Sequence, residues 1–135
     1  MNTLNCRLAV ALGVAALFGA AAVQAQELHQ AKVTFGFEVA GQKMEAGTYR
    51  AILDTLGSLT IENTTTNHQV YLMPLPRSVA DNERSSLTFR CYAGQCFLNK
   101  VQFGQTDYVY GVPQTKHEKE VAAKEDGKTV YVAMR

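Results

Sequence analysis

Three cysteines are the most reactive side chains in the 135-residue sequence. Cys91 and Cys96 stand symmetrically about Ala93-Gly94 in the stretch LTFRCYAGQCFLNKVQF, residues 87–103, whose two β-rich halves read as a hairpin. If a two-residue loop closes it, Tyr92 pairs with Gln95 and Cys91 faces Cys96, where antiparallel Cα atoms lie about 4.5–5.5 Å apart. That is disulfide distance. The C-x4-C spacing lacks the helix N-terminus that lowers a thiol pKa in C-x-x-C enzymes. The pair therefore reads as a structural bridge and not as a redox centre.

The other chemistry-bearing residues are scattered. His29, His68 and His117 fall in a leader, a turn and a helical stretch, outside H-E-x-x-H or any other ligand spacing. His117 with Glu118 and Glu120 is the nearest approach to a metal set, and a solvated helix face explains it better. No G-x-S-x-G elbow, Ser-x-x-Lys pair or Gly-rich phosphate loop occurs. Asn63-Thr64-Thr65 matches a glycosylation acceptor and is read as turn chemistry. No catalytic residue, cofactor or metal ligand is assigned.

Residues 1–25 read as a cleaved signal peptide: Arg7, an apolar run over 8–23, and Val23-Gln24-Ala25 before the cut at Gln26. Cys6 precedes the apolar run and leaves with it. The remaining residues 26–135 form one domain with twelve basic and twelve acidic side chains, since the leader holds Arg7 and no acid. That neutrality favours neither nucleic acid nor an anionic membrane as partner. Two cysteines left in an exported chain are more readily a disulfide than a metal site, because the compartment is oxidising.

The elements that would position these residues are strands. Residues 32–39 alternate without a slip, with Val33, Phe35, Phe37 and Val39 on one face. A turn at Ala40-Gly41, a short edge piece at 43–45 and punctuation at Ala46-Gly47 follow. Residues 48–53 and 58–62 read as paired strands with Tyr49, Ala51, Leu53, Leu59 and Ile61 inward. In 68–75 both alternating sets are apolar, which predicts cover on both faces up to Pro74 and Pro76. Residues 77–85 form the longest loop, and a turn at Gly104-Gln105 follows the central hairpin. Residues 108–112 form a strand stopped by Pro113. Residues 115–125 carry the only helical pattern, a surface helix with Val121 and Ala122 as its apolar side, and 128–134 close the fold. The sum is an all-β antiparallel sandwich or small barrel of about seven or eight strands with one late helix.

The opening Phe35-Gly-Phe37-Glu-Val39-Ala-Gly41, followed by Met44, Ala46-Gly47 and Tyr49, resembles the F-x-F-x-V…G…L-P-A-G-x-Y start of a family of small exported β proteins of soil bacteria. Leu87, Phe89, Tyr92 and Phe97-Leu98 resemble that family's hairpin, and residues 113–120 its P-x-S-K-x-x-E segment. Glu45 stands where the family has proline, and Cys91 and Cys96 where basic or aromatic residues are usual. The resemblance implies a fold and an address, periplasmic or secreted, and no reaction.

The expected role is that of a monomeric, non-enzymatic envelope or extracellular domain that binds another protein or cell-surface material, free of the membrane after cleavage. The alternative is a barrel enclosing a small apolar ligand, lined by Phe35, Phe37, Phe89 and Tyr108. A hydrolase or redox enzyme assembled from separate loops ranks last.

Overall fold

A computed structural model describes residues 30–80, 84–104 and 106–135. The leader 1–25 with Cys6, His29, residues 81–83 of the charged connection, and Gln105 lie outside the described residues.

Eleven strands and one helix are present among the described residues. They are β1 Ala31–Val33, β2 Phe37–Val39, β3 Gln42–Met44, β4 Gly47–Leu53, β5 Leu59–Asn63, β6 Gln69–Leu72, β7 Ser78–Val79, β8 Ser86–Tyr92, β9 Gln95–Phe103, β10 Tyr108–Gly111, α1 Lys116–Ala122 and β11 Gly127–Ala133. A four-stranded sheet runs β1-β4-β5-β6, and a seven-stranded sheet runs β11-β8-β9-β10-β7 with the β2-β3 hairpin attached through β9. The two pack face to face. One seam is closed: Ala31 bridges Met134, and Gln30 and Arg135 exchange backbone hydrogen bonds of 2.9 and 2.8 Å.

The strand count exceeds seven or eight for physical reasons. The run 32–39 is broken by a bend at Phe35, where the chain leaves one sheet for the other. β1 pairs with β4 in the small sheet, and β2 pairs in parallel with β9 in the large one through Glu38 and Phe97. Alternation survives the switch, because Val33, Phe37 and Val39 are all buried and Phe35 packs against them. The expected loop at 77–85 contains β7, which pairs Ser78 and Val79 with Val109 and Tyr108.

Phe35, Phe37, Tyr49 and Phe89 fill the space between the sheets. Phe35–Phe89, Phe37–Phe89 and Phe37–Tyr49 all meet edge to face at 5.0 Å between ring centroids, a favoured geometry for aromatic pairs. Leu59, Ile61, Val70, Leu87, Leu98 and Val101 complete the core, each at most 1% exposed. The Tyr49 hydroxyl donates to the Glu45 carbonyl oxygen, and burial raises its phenol pKa. Gly47 is required beside it: a Cβ there would lie 2.9 Å from Asn63 Nδ2. Asn63 is itself buried, and its Oδ1 accepts from the Thr65 and Thr66 amides at 2.9 and 3.1 Å, so the apparent glycosylation acceptor is a turn.

The β8-β9 hairpin pairs Tyr92 with Gln95 and Cys91 with Cys96, and the cysteines are joined in a disulfide with Cα atoms 4.0 Å apart. Ala93 and Gly94 both take positive φ, 48° and 86°, the requirement of a type I′ turn. Further along, the register shifts: Thr88 faces Lys100 while Phe89 faces Leu98, leaving Asn99 as an extra residue in β9. The backbone carbonyl of Asn99 accepts from the Val112 amide at 2.8 Å. This bulge lets Leu98 and Val101, three residues apart, both reach the core.

Two expectations are corrected. β6 is not covered on both faces: it is the outer strand of its sheet, with Val70 buried while Tyr71 and Met73 are 66% and 64% exposed. Apolar character on both sides of a strand does not create a second layer to bury it. The inner side of α1 is also not Val121 and Ala122, which are half-buried, but Glu118, which is 3% exposed.

Two predictions follow from this geometry. Unreduced, denatured protein should show no alkylated thiol at Cys91 or Cys96, and the C91A/C96A double variant should lose roughly 2 kcal/mol of stability for so short a loop. An unchanged denaturation midpoint would show that the bridge does not constrain the unfolded chain. Ala93→Asn relieves a left-handed alanine and should stabilise by up to about 1 kcal/mol, measured as a raised urea midpoint.

Candidate functional site

The large sheet is layered unequally at its hairpin tip. Phe89, Cys91, Cys96 and Leu98 face the core, while Arg90, Tyr92 and Phe97 alternate to the outside. There α1 lies over Tyr92 and Phe97. Thr115 caps the helix, its Oγ1 accepting from the Glu118 amide at 3.2 Å. That is one half of a T-x-x-E capping box, since the Glu118 carboxyl turns instead to Gln114 and Tyr92.

From this helix His117 and Glu118 reach different surroundings. His117 stacks edge to face on Phe97 at 5.7 Å, and its Nδ1 lies 3.1 Å from Glu38 Oε2, tying α1 to β2. An open groove of about 500 Å³ lies beside it, lined by Phe37, Glu38, Lys43, Met44, Phe97 and His117 among others. Glu118 turns to Gln114, whose Nε2 donates to Oε2 at 3.2 Å, and to Tyr92, whose hydroxyl approaches the same oxygen at 3.5 Å. Burial pushes the Glu118 carboxyl above its ordinary pKa, opposed by these two hydrogen bonds and by the Arg90 charge.

Of the expected ligand-lining residues, the structure brings Phe35, Phe37 and Phe89 together as core rings. Phe37 also borders the groove. Tyr108 stands apart, its ring under the Arg77 guanidinium at 4.0 Å. His68 lies on the surface with Nε2 3.3 Å from Gln42 Oε1. Among the described residues no three His, Cys, Asp or Glu side chains converge on a position for a metal ion. No helix there is long and apolar enough to cross a membrane.

The outer face of the four-stranded sheet carries the other conspicuous surface. Its register sets Ile52, Thr60 and Tyr71 side by side across β4, β5 and β6. The next row sets Arg50, Glu62 and Gln69 together, with Arg50 Nε and Nη2 both 2.7 Å from Glu62 Oε2. That contact holds the Glu62 carboxyl below its usual pKa. Ile52, Tyr71 and Met73 therefore form an exposed apolar strip ending at a sheet edge.

The sequence reading placed Glu118 on a solvated helix face beside His117 and Glu120, whereas it is buried, and the Thr115-Lys-His-Glu118 spacing was the signal for its position in the first turn. The strip on β6 was hidden by the equal hydrophobicity of its two faces. The fold and these contacts define a class, a disulfide-pinned β-sandwich of two unequal sheets. No family model, curated protein or solved structure matches the chain.

The raised Glu118 pKa has a definite sign in stability. The folded state holds that proton more tightly than the unfolded chain, so the contribution is full below the ordinary carboxylate pKa and is lost as pH rises through the folded value. Glu118→Gln cannot ionise and keeps an acceptor for Tyr92. Its denaturation midpoint should change less between pH 4 and pH 8 than that of the parent and exceed it at pH 8; parallel profiles would exclude Glu118 as the source.

Proposed function

We propose that this chain is an exported, non-enzymatic β-sandwich domain that binds another protein through the outer face and edge of its four-stranded sheet. The observation that carries the reading is the exposure of Tyr71 on the edge strand β6, Met73 just after it and Ile52 two strands away on β4, at 66%, 64% and 40%. An apolar edge strand is a template for pairing with another chain, and proteins ordinarily blunt it with charge. Here β6 offers Gln, Val, Tyr and Leu. The interior supports the same reading, since rings in mutual contact occupy the space that an enclosed ligand would need.

Export rests on the signal-like residues 1–25, on the disulfide, which belongs to oxidising compartments, and on the resemblance to small exported bacterial β proteins. The second reading, a small apolar ligand, would use the open groove beside Phe37, Met44 and Phe97.

A photo-crosslinking residue placed at Tyr71 in the exporting cell tests the proposal, with one at Lys128 as control. The expected result is a discrete protein adduct from position 71 alone that disappears when Met73→Lys and Ile52→Lys are added. Absence of an adduct at 71, together with a small-molecule mass retained by the purified protein in native mass spectrometry, would replace this reading with the second.

A further inference from the structure

The outer face of the seven-stranded sheet holds a second surface, built differently. Below the rows covered by α1, the register aligns Thr129 with Arg90, and Tyr131 with Thr88 and Lys100. These residues, with Asn99 and neighbouring serines, line a hollow of about 440 Å³ that is more enclosed than the groove at His117. Its walls are mostly polar, and no acidic residue lines it.

Charge is the first discriminating feature. Residues 26–135 are formally neutral, yet this hollow gathers two cations. Arg90 donates from Nη1 to Thr129 Oγ1 at 3.0 Å and also feels Glu118 under the helix. Lys100 forms no salt bridge among the described residues and is exposed, so its charge is unshared. The second feature is the bulge. Asn99 is the unpaired residue of β9, and its side chain joins the hollow; bulges commonly re-aim a side chain in this way next to functional sites. The third is Tyr131, 74% exposed at the rim, beside Thr88, which is only 8% exposed.

We infer that this hollow binds an acidic saccharide, a chain containing uronic acid residues. The Tyr131 ring offers an apolar face for a pyranose. Thr88, Thr129 and Asn99 offer hydroxyl and amide groups that both donate and accept, as sugar hydroxyls require. Lys100 and Arg90 supply the cations for a carboxylate, with Arg90 able to present paired donors. A nucleic-acid strand would call for a cationic groove tracking the backbone with successive stacking rings, and the hollow has two cations and a single exposed ring. The site lies on the opposite sheet from the β6 strip, so the two readings stand or fall separately.

Titration of the purified full domain with tetragalacturonate by calorimetry, in low salt, tests the inference, with maltotetraose as the neutral counterpart. Tetragalacturonate should bind at least tenfold more tightly than maltotetraose. Lys100→Gln and Tyr131→Ala should each weaken it at least fivefold, with circular dichroism unchanged. Tyr71→Lys, on the other sheet, should leave it intact. If Tyr131→Ala alters the fold, chemical-shift changes at Thr88, Asn99 and Thr129 on adding the uronate serve in its place. No binding of the uronate, equal binding of the neutral sugar, or unchanged binding by Lys100→Gln would overturn the assignment. Tighter binding of a single-stranded oligonucleotide than of the uronate would also overturn it.

Discussion

The β8-β9 ladder is the constraint on which the other elements depend. β9 is nine residues long and pairs with β8 along its length, with β10 on its outer half and with β2 near the hairpin tip. Its two hairpin neighbours and, from a distant part of the sequence, β2 thus take their register from one strand. A slip by one residue would exchange the core set Leu87, Phe89 and Leu98 for the outward set Thr88, Arg90 and Phe97. The Ala93-Gly94 turn and the Cys91–Cys96 bond oppose that slip at the tip, and the bulge at Asn99 sets the phase beyond it.

That arrangement explains why the aromatic cluster sits where it does. Phe35 and Phe37 flank the point at which the chain crosses from one sheet to the other, and both rings stack on Phe89 of the central hairpin. Tyr49 meets the same group from the small sheet. The crossing needs a short bent segment, and Thr34, Phe35 and Gly36 supply it without breaking the inward sequence of apolar side chains. The chain also crosses between the sheets from β3 to β4 and from β6 to β7, and the hydrogen bonds between Gln30 and Arg135 tie the two sheets at a further point.

What could be read from the amino acids follows the range of the interaction that decides each feature. Symmetry of Cys91 and Cys96 about an Ala-Gly turn is local, and so are the strand-ending prolines at 74, 76 and 113. The sheet switch at Phe35-Gly36 was not legible, because alternation continues through it and partners alone decide which sheet a strand joins. The exposure of Tyr71 and Met73 was hidden for a similar reason: strand order, a long-range property, places β6 at an edge. The hollow was half legible. Ser86, Thr88 and Arg90 alternate visibly with Leu87, Phe89 and Cys91, but the partner Lys100 is set by the bulge. Of the expected lining residues, Phe35, Phe37 and Phe89 meet one another in the core, while Tyr108 belongs to a different neighbourhood under Arg77.

Two buried glutamates show how neighbours decide the cost of a charge. Glu62 is 5% exposed and Glu118 is 3% exposed, yet their carboxyls shift in opposite directions. Glu62 receives two guanidinium contacts from Arg50, which outweigh its desolvation. Among the described residues Glu118 has Gln114 and Tyr92 as direct side-chain partners, while Arg90 donates to Thr129 and acts on it from farther away. Solvent loss therefore dominates at Glu118. Arg90 instead lies across β11, with Nη1 on Thr129 and Nη2 beside Gly127, on the outer face of the sheet. A strong Glu118–Arg90 pair would tighten α1 onto the hairpin and leave Lys100 as the hollow's one unshared cation. The local electrostatics of the large sheet thus trade helix anchoring against a surface able to hold an anion.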